Sequence, residues 1–289
     1  MLMVREVVAF CPGHISGYFK RIFGKDVATT GSIGAGIVIS EGVVARAEQS
    51  DKISVCVYKK DKSGAKAVIA HDSPPITYVM NLLSVTATVS TECNLPIGAG
   101  FGLSAASLLA TLTALDHLYE LGLGEDRITR IAHEAEITHR TGLGDVAASR
   151  GGGLVVRASA GVAAPVRRYF NLPKPLYAVS FGPIHTPSVL GSKEQMDRVA
   201  SAFPIKEPED PEEFFRLSRT FAEQSGLATP LIQEVLICCD DAGVPASMTM
   251  LGNGVFAYGE GARGVLSRFG RTYELHVAHQ GPMILVAAA

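Results

Sequence analysis

Tryptophan is absent from the chain and charge is thin, at 19% of 289 residues, against the roughly 25% usual for a soluble domain. The 26 Lys and Arg nearly balance the 28 Asp and Glu, leaving a net charge of −2. No basic run occurs, which argues against a nucleic-acid surface, since that would need clustered Lys and Arg. The five cysteines (Cys11, Cys56, Cys93, Cys238, Cys239) are odd in number and form no C-x-x-C pair. That pattern disfavours a disulfide framework and a zinc site and suits a reducing compartment, so a cytoplasmic location is expected. Met1–Arg5 lacks the basic and apolar regions of a signal peptide.

The largest absence is local. From Ser73 to Leu115 the sole Asp, Glu, Lys or Arg is Glu92, and Cys93–Leu115 runs 23 residues without charge. Such a length could span a bilayer. Its content points elsewhere: Pro96, Gly98, Gly100 and Gly102 bunch in the first half, where a spanning helix needs unbroken backbone hydrogen bonds. No Lys/Arg cluster or aromatic belt flanks the run. A loop leading into a buried helix is expected, and no membrane span.

The remaining pattern is strand-rich and then helix-rich, which predicts an α+β chain without regular β–α alternation. Val7–Phe10 reads as a short strand entering a turn at Cys11–Gly17. Thr30–Gly36 reads as a Gly-rich loop opening a strand at Ile37–Ile39. Alternation at Ile53, Val55 and Val57 and at Ala67 and Ile69 predicts a hairpin, with Lys59–Gly64 as its solvated tip. Leu83–Val89 alternates with hydroxyl residues as a half-buried strand. Helices are expected at Ser104–Leu121 and Asp126–Arg140, then a strand at Leu154–Ala158. Pro165, Pro173 and Pro175 mark a boundary between domains at 1–165 and 175–289. Beyond it come a strand at Tyr177–Phe181, helices at Lys193–Ala202, Pro211–Ser225 and Pro230–Ala242, strands flanking Gly252–Gly254, and a helix at Gly261–Phe269.

The strongest chemical signal is Pro96-Ile97-Gly98-Ala99-Gly100-Phe101-Gly102-Leu103-Ser104-Ala105-Ala106. Alternate glycines let backbone N–H groups crowd an anion without side-chain obstruction. Ser104 falls where a helix begins, at the positive end of its dipole. This is a phosphate cradle, although it has neither the Gly-Lys-Ser/Thr of a Walker loop nor G-x-G-x-x-G. The plainer reading makes it a strand–helix turn with Ser104 as N-cap.

These residues resemble the central motif of the GHMP small-molecule kinases, with Leu103 in place of that motif's first serine and Ser104 matching its second. Cys11-Pro12-Gly13-His14 departs from the family's Ala-Pro-Gly-Lys, so the usual lysine is replaced by His14. Within the superfamily, Pro12–Gly17, Gly31–Gly36 and Thr141–Val146 together resemble the archaeal pantoate kinases. The resemblance implies a two-domain fold: an N-terminal ribosomal-protein-like β/α domain and a C-terminal α/β sandwich domain. It implies ATP and magnesium as cofactors and pantoate as acceptor. Pro96, Gly98, Gly100, Gly102, Ser104 and Ala105 would bind ATP phosphates, and Asp145 would be catalytic. Ser104 and Glu136 would hold the metal.

Phosphoryl transfer to an alcohol uses a carboxylate near the attacking oxygen, the part given to Asp145; Asp145 could equally cap a helix starting at Val146. Glu134 points about 200° round the helix from Glu136, so the two cannot face one ion, and Glu136 is preferred. Arg157 ends an apolar strand, as a carboxylate-binding arginine would, or it emerges there to meet a surface acid. The resemblance adds His133 and Ser32 as pantoate contacts. His14 either binds substrate too or leaves neutralisation to other groups. Leu251–Gly254 stands where the family's last Gly-rich motif would be. The alternatives are a homoserine or mevalonate-like substrate, or a catalytically silent nucleotide-binding module; a homodimer is the assembly considered.

Overall fold

In the computed structural model, residues 5–61, 63–184 and 191–288 are described. Met1–Val4 and Lys62 of the expected hairpin tip lie outside them. The first strands are far longer than the sequence suggests. β1 (Glu6–Ile22) and β2 (Gly31–Gln49) pair antiparallel along nearly their whole length. Pro12-Gly13 and Gly17, read from sequence as a turn, are instead absorbed by register shifts at Pro12/Gly13 and Ser16/Tyr18. Bulges of this kind bend a strand without ending it.

β3 (Ser54–Lys60) and β4 (Lys66–Ala70) form the expected hairpin. The segment Pro74–Leu83 is a helix, α1, not loop and strand; Pro stands at its first turn, and Ser84 closes it in the left-handed region at φ 56°. β5 therefore begins only at Ala87 and runs to Cys93. α2 (Leu103–Leu118) is buried on nearly all sides, packed on β1 and β2 and covered by α3 (Gly124–His139). An all-round apolar helix belongs in such a place, which accounts for the charge gap. Among the described residues no helix is long and apolar enough to cross a membrane. Glu92, the gap's lone charge, pairs with Lys66 at 2.7 Å.

After α3 come the short helix α4 (Asp145–Ser149), β6 (Leu154–Arg157) and β7 (Val166–Tyr169). The larger sheet runs β12-β1-β2-β5-β3-β4, with β6 pairing the first half of β2 and β7 pairing β6. A second sheet, ordered β11-β8-β10-β9, is built from β8 (Leu176–Ser180), β9 (Ala246–Met248), β10 (Gly254–Tyr258) and β11 (Thr272–Leu275). Helices α5 (Lys193–Ala202), α6 (Pro211–Gln224) and α7 (Pro230–Asp241) start where expected. The last two begin with Pro after Asp210 and Thr229, whose side chains accept from the Glu213 and Ile232 amides. α8 spans Ala262–Leu266. The last strand, β12 (Met283–Ala288), returns to pair with β1 in the larger sheet. The larger sheet thus takes in β7, which lies between Pro165 and Pro173, and β12 from beyond the second sheet.

Candidate active site

A cavity of about 500 Å³, within the range of small-molecule sites, is lined mainly by the larger sheet, α1 and the start of α2, with Ile184, Met250 and Leu251 bordering it from the second half of the chain. One wall is the loop from Gly98 to Ser104. Gly98, Gly100 and Gly102 all hold positive φ, at 75°, 82° and 63°. None of the three has room for a side chain: a Cβ on Gly98 would lie 2.8 Å from Pro183 Cβ, one on Gly100 2.8 Å from the Met250 carbonyl oxygen, and one on Gly102 2.9 Å from that of His14. The loop is held between the β9–β10 turn and β1, which is the place the Leu251–Gly254 motif takes. Gly102, not Ser104, caps α2; Ser104 sits in the first turn with its side chain exposed to the cavity. Pro96 is not among the residues lining the cavity, and Ala105 is buried in the first turn of α2.

Asp145 faces the loop from the start of α4. Gly144 takes the cap position and the carboxylate makes no capping bond. It meets His14 instead, with Nδ1 to Oδ1 at 2.6 Å. His14 is completely buried, whereas the Asp145 side chain keeps 25% exposure on the cavity side. Burial pushes the imidazole below its ordinary value, against the pull of Asp145. Burial would raise the Asp145 carboxyl, but the hydrogen bond from His14 and the nearby Arg157 guanidinium hold it below the usual carboxylate range. The pair is therefore a neutral imidazole donating Nδ1–H to a carboxylate. The ring's other nitrogen has no partner and lies against Gly36, where any Cβ would strike it. The His14 amide also donates to the Phe101 carbonyl at 3.0 Å. One residue thus ties the phosphate-loop segment to Asp145.

Arg157 is buried and meets no surface acid. Its Nη1 donates to Ser32 Oγ at 2.9 Å, and both residues line the cavity. Burial lowers its proton affinity while Asp145 and Glu136 oppose that effect. Gly144 lets this pair approach, because a Cβ there would overlap the guanidinium and sit 2.6 Å from Ser32 Oγ. The sequence singled out this glycine only as part of Thr141–Val146.

The other expected residues stand behind the wall. His133 is buried and its Nε2–H donates to the carbonyls of Thr30 at 2.9 Å and Val27 at 3.2 Å, anchoring the loop before β2. It is not among the residues lining the large cavity and borders a second, far smaller one beside Arg157. Glu136 is fully buried and neither carboxyl oxygen has a well-aligned partner, the Val146 amide being a nearby donor. Burial, and then the charge of Asp145, push its carboxyl well above the ordinary value. A Cβ on Gly142 would run into Glu136 Oε1 and lie 3.2 Å from Asp145 Oδ2, so the two carboxyls converge on that glycine. Glu134 is turned away and accepts from the Tyr78 hydroxyl at 2.6 Å.

Among the described residues no three His, Cys, Asp or Glu side chains form a metal-binding cluster. Magnesium commonly takes only one or two protein oxygens. The orphaned Glu136 carboxyl and the exposed Ser104 hydroxyl are oxygen donors of that kind. Alongside Asp72 and Glu92, the cavity is bordered by Val57, Tyr58, Ile69, Pro75, Ile76 and Ile97. Nothing in the sequence pattern marks these residues as lining, because they come from four separate elements.

Residues 68–153 match the family model "GHMP kinases N terminal domain". A pantoate kinase of Methanospirillum hungatei is 45% identical over 280 residues, covering 97% of this chain and 96% of the relative. One from Thermococcus kodakarensis is 30% identical, covering 92% and 94%. A solved structure described as a phosphotransferase related to the CoA biosynthesis pathway superposes with a TM-score of 0.81 at 27% identity, covering 97% and 98%. Mevalonate-3-kinase of Thermoplasma acidophilum superposes with a TM-score of 0.64 at 14% identity, covering 99% and 100%, a likeness of fold alone.

Proposed function

Since this chain belongs to the GHMP kinase family, we propose that it transfers the γ-phosphoryl group of ATP to the primary hydroxyl of pantoate, giving 4-phosphopantoate for coenzyme A synthesis. One observation carries the reading: Asp145 hydrogen-bonded to His14, a Gly-rich loop at a helix N-terminus and a buried Arg157–Ser32 pair all border one cavity. The loop's backbone amides and the N-terminus of α2 would receive the phosphates. The apolar side chains of β3, β4 and α1 that border the cavity would take the nucleotide base. Arg157 with Ser32 would bind the pantoate carboxylate, a guanidinium being suited to that planar anion. Asp145 would orient the hydroxyl and accept its proton as the oxygen attacks phosphorus and ADP leaves.

Magnesium would be held by Ser104 and by Glu136, whose raised carboxyl would have to release its proton to the ion, and would neutralise phosphate charge. His14 and His133 act on the substrate only indirectly in this reading, through Asp145 and through the loop before β2. The five cysteines are all free, and a cytoplasmic location belongs to the same proposal.

The test is to offer purified protein ATP and magnesium with pantoate, homoserine and mevalonate in parallel and to follow ADP release. Turnover of pantoate is expected. Turnover of homoserine but not pantoate would overturn the assignment, and no turnover of any would favour a silent nucleotide-binding module. Asp145→Asn should lower kcat by roughly 100-fold or more, the ordinary range for a lost general base; near wild-type turnover would remove Asp145 from the chemistry.

A further inference from the structure

The two polar anchors of the cavity are separated by a single leucine. Gly142 lies against the carboxylates of Glu136 and Asp145, and Gly144 lies against Arg157 and Ser32. Leu143 stands between them and lines the cavity. Two further apolar side chains border the same region. Phe19, Gly34 and Arg157 are in register across β1, β2 and β6. Residues in register share a sheet face, and Gly34 contributes no side chain between the aromatic ring and the guanidinium. Met250 reaches the site from the β9–β10 turn, where its amide donates to the Ser16 carbonyl at 3.3 Å. Phe19, Leu143 and Met250 are each nearly buried and all line the cavity.

An acid held by its carboxylate at Arg157 and by its terminal hydroxyl at Asp145 must lay its intervening carbons along this stretch. In pantoate those carbons carry a hydroxyl and, on the neighbouring carbon, two methyl groups. We infer that Phe19, Leu143 and Met250 form the wall that receives the paired methyls, so that the enzyme selects hydroxy acids branched between carboxylate and primary hydroxyl. The inference rests on pantoate as the acceptor. It adds the residues that distinguish pantoate from straight-chain acids bearing the same polar groups. A methylene in an apolar pocket alters kcat/KM by roughly 10–200-fold, so two methyls make a large difference possible without any new polar contact.

The test compares pantoate with 2,4-dihydroxybutanoate, which keeps the carboxylate and both hydroxyls and lacks the methyls. The wild-type protein should favour pantoate in kcat/KM by at least about 100-fold. Leu143→Ala and, independently, Met250→Ala should each reduce that ratio about tenfold or more, with folding of each variant checked by melting. If the wild type uses both acids equally well, the wall is overturned while the kinase reading stands. If the wild type discriminates but both folded variants keep the full ratio, these side chains do not read the methyls, and the inference fails. If neither acid is phosphorylated, the reading of the reaction fails and the wall falls with it.

Discussion

Replacing His14 isolates what its contact with Asp145 contributes. The side chain is wholly buried and its Nδ1 lies 2.6 Å from the carboxylate, so water cannot substitute freely for the lost donor. A hydrogen bond to a charged group contributes about 1.5–3 kcal/mol. If that loss falls on the transition state, kcat drops about 10- to 150-fold in His14→Ala. The pH profile should change as well. Asp145 is held below the usual carboxylate range against the effect of its own burial. Without the donor, burial acts with less opposition, the carboxyl takes up its proton at higher pH, and the acid limb of the kcat profile moves upward. His14→Asn places an amide N–H near the position of Nδ1 and should recover part of the rate and of the limb. The assay is coupled ADP release from pH 5 to 9, with melting to verify folding. A folded His14→Ala variant with kcat within twofold of wild type and an unmoved acid limb would refute the reasoning.

Two other perturbations probe the surrounding structure. Gly102→Ala forces a side chain into the left-handed region, at about 1–2 kcal/mol, and against the His14 backbone at 2.9 Å; the KM for ATP should rise and the melting temperature fall, and an unchanged KM would separate this glycine from the phosphates. Glu136 has its carboxyl raised by burial and by Asp145, so the folded state keeps a proton that the unfolded chain releases at ordinary pH. Its contribution is present below the usual glutamate range and is lost as pH rises toward the raised value. Glu136→Gln should therefore stabilise the protein more at pH 8 than at pH 5 in melting experiments, and an equal change at both would contradict the buried, protonated state.

Local features of the fold were the legible ones. Pro211 after Asp210 and Pro230 after Thr229 announce helix starts, and the glycines before Leu103 announce a loop at the head of a buried helix. The same residue types misled where tertiary pairing overrode them. Pro12-Gly13 reads as a turn, yet 16 residues of β1 find partners on β2 and carry the strand through it. Leu83 alternates with hydroxyl residues and reads as the start of a strand, yet it belongs to the helix that Pro74 and Pro75 open, proline being compatible with a first helical turn. The site shows a similar division. Arg157 stands out by its residue type and setting, Asp145 and Ser32 through the family resemblance, and all three border the cavity. The partner of Asp145 was not legible, since His14 is 131 residues away in sequence. Nor could the pattern show that Glu136 and His133 lie behind the cavity wall, because helix periodicity identifies a buried face without saying what covers it.

The return of β12 to β1 has a consequence for how the molecule forms. Glu6 pairs with Ala288, so everything that builds the second sheet is an insertion between two parts of the first. Closing a flexible loop of that length carries an entropic cost of about 5 kcal/mol, reduced when the intervening segment has already condensed. Folding in which the inserted sheet forms early and β12 docks late avoids most of that cost. Until then β1 keeps an open edge along Val7–Phe10, the same strand that continues into His14. An open edge is a template for pairing with another chain, and here it belongs to the strand that carries His14.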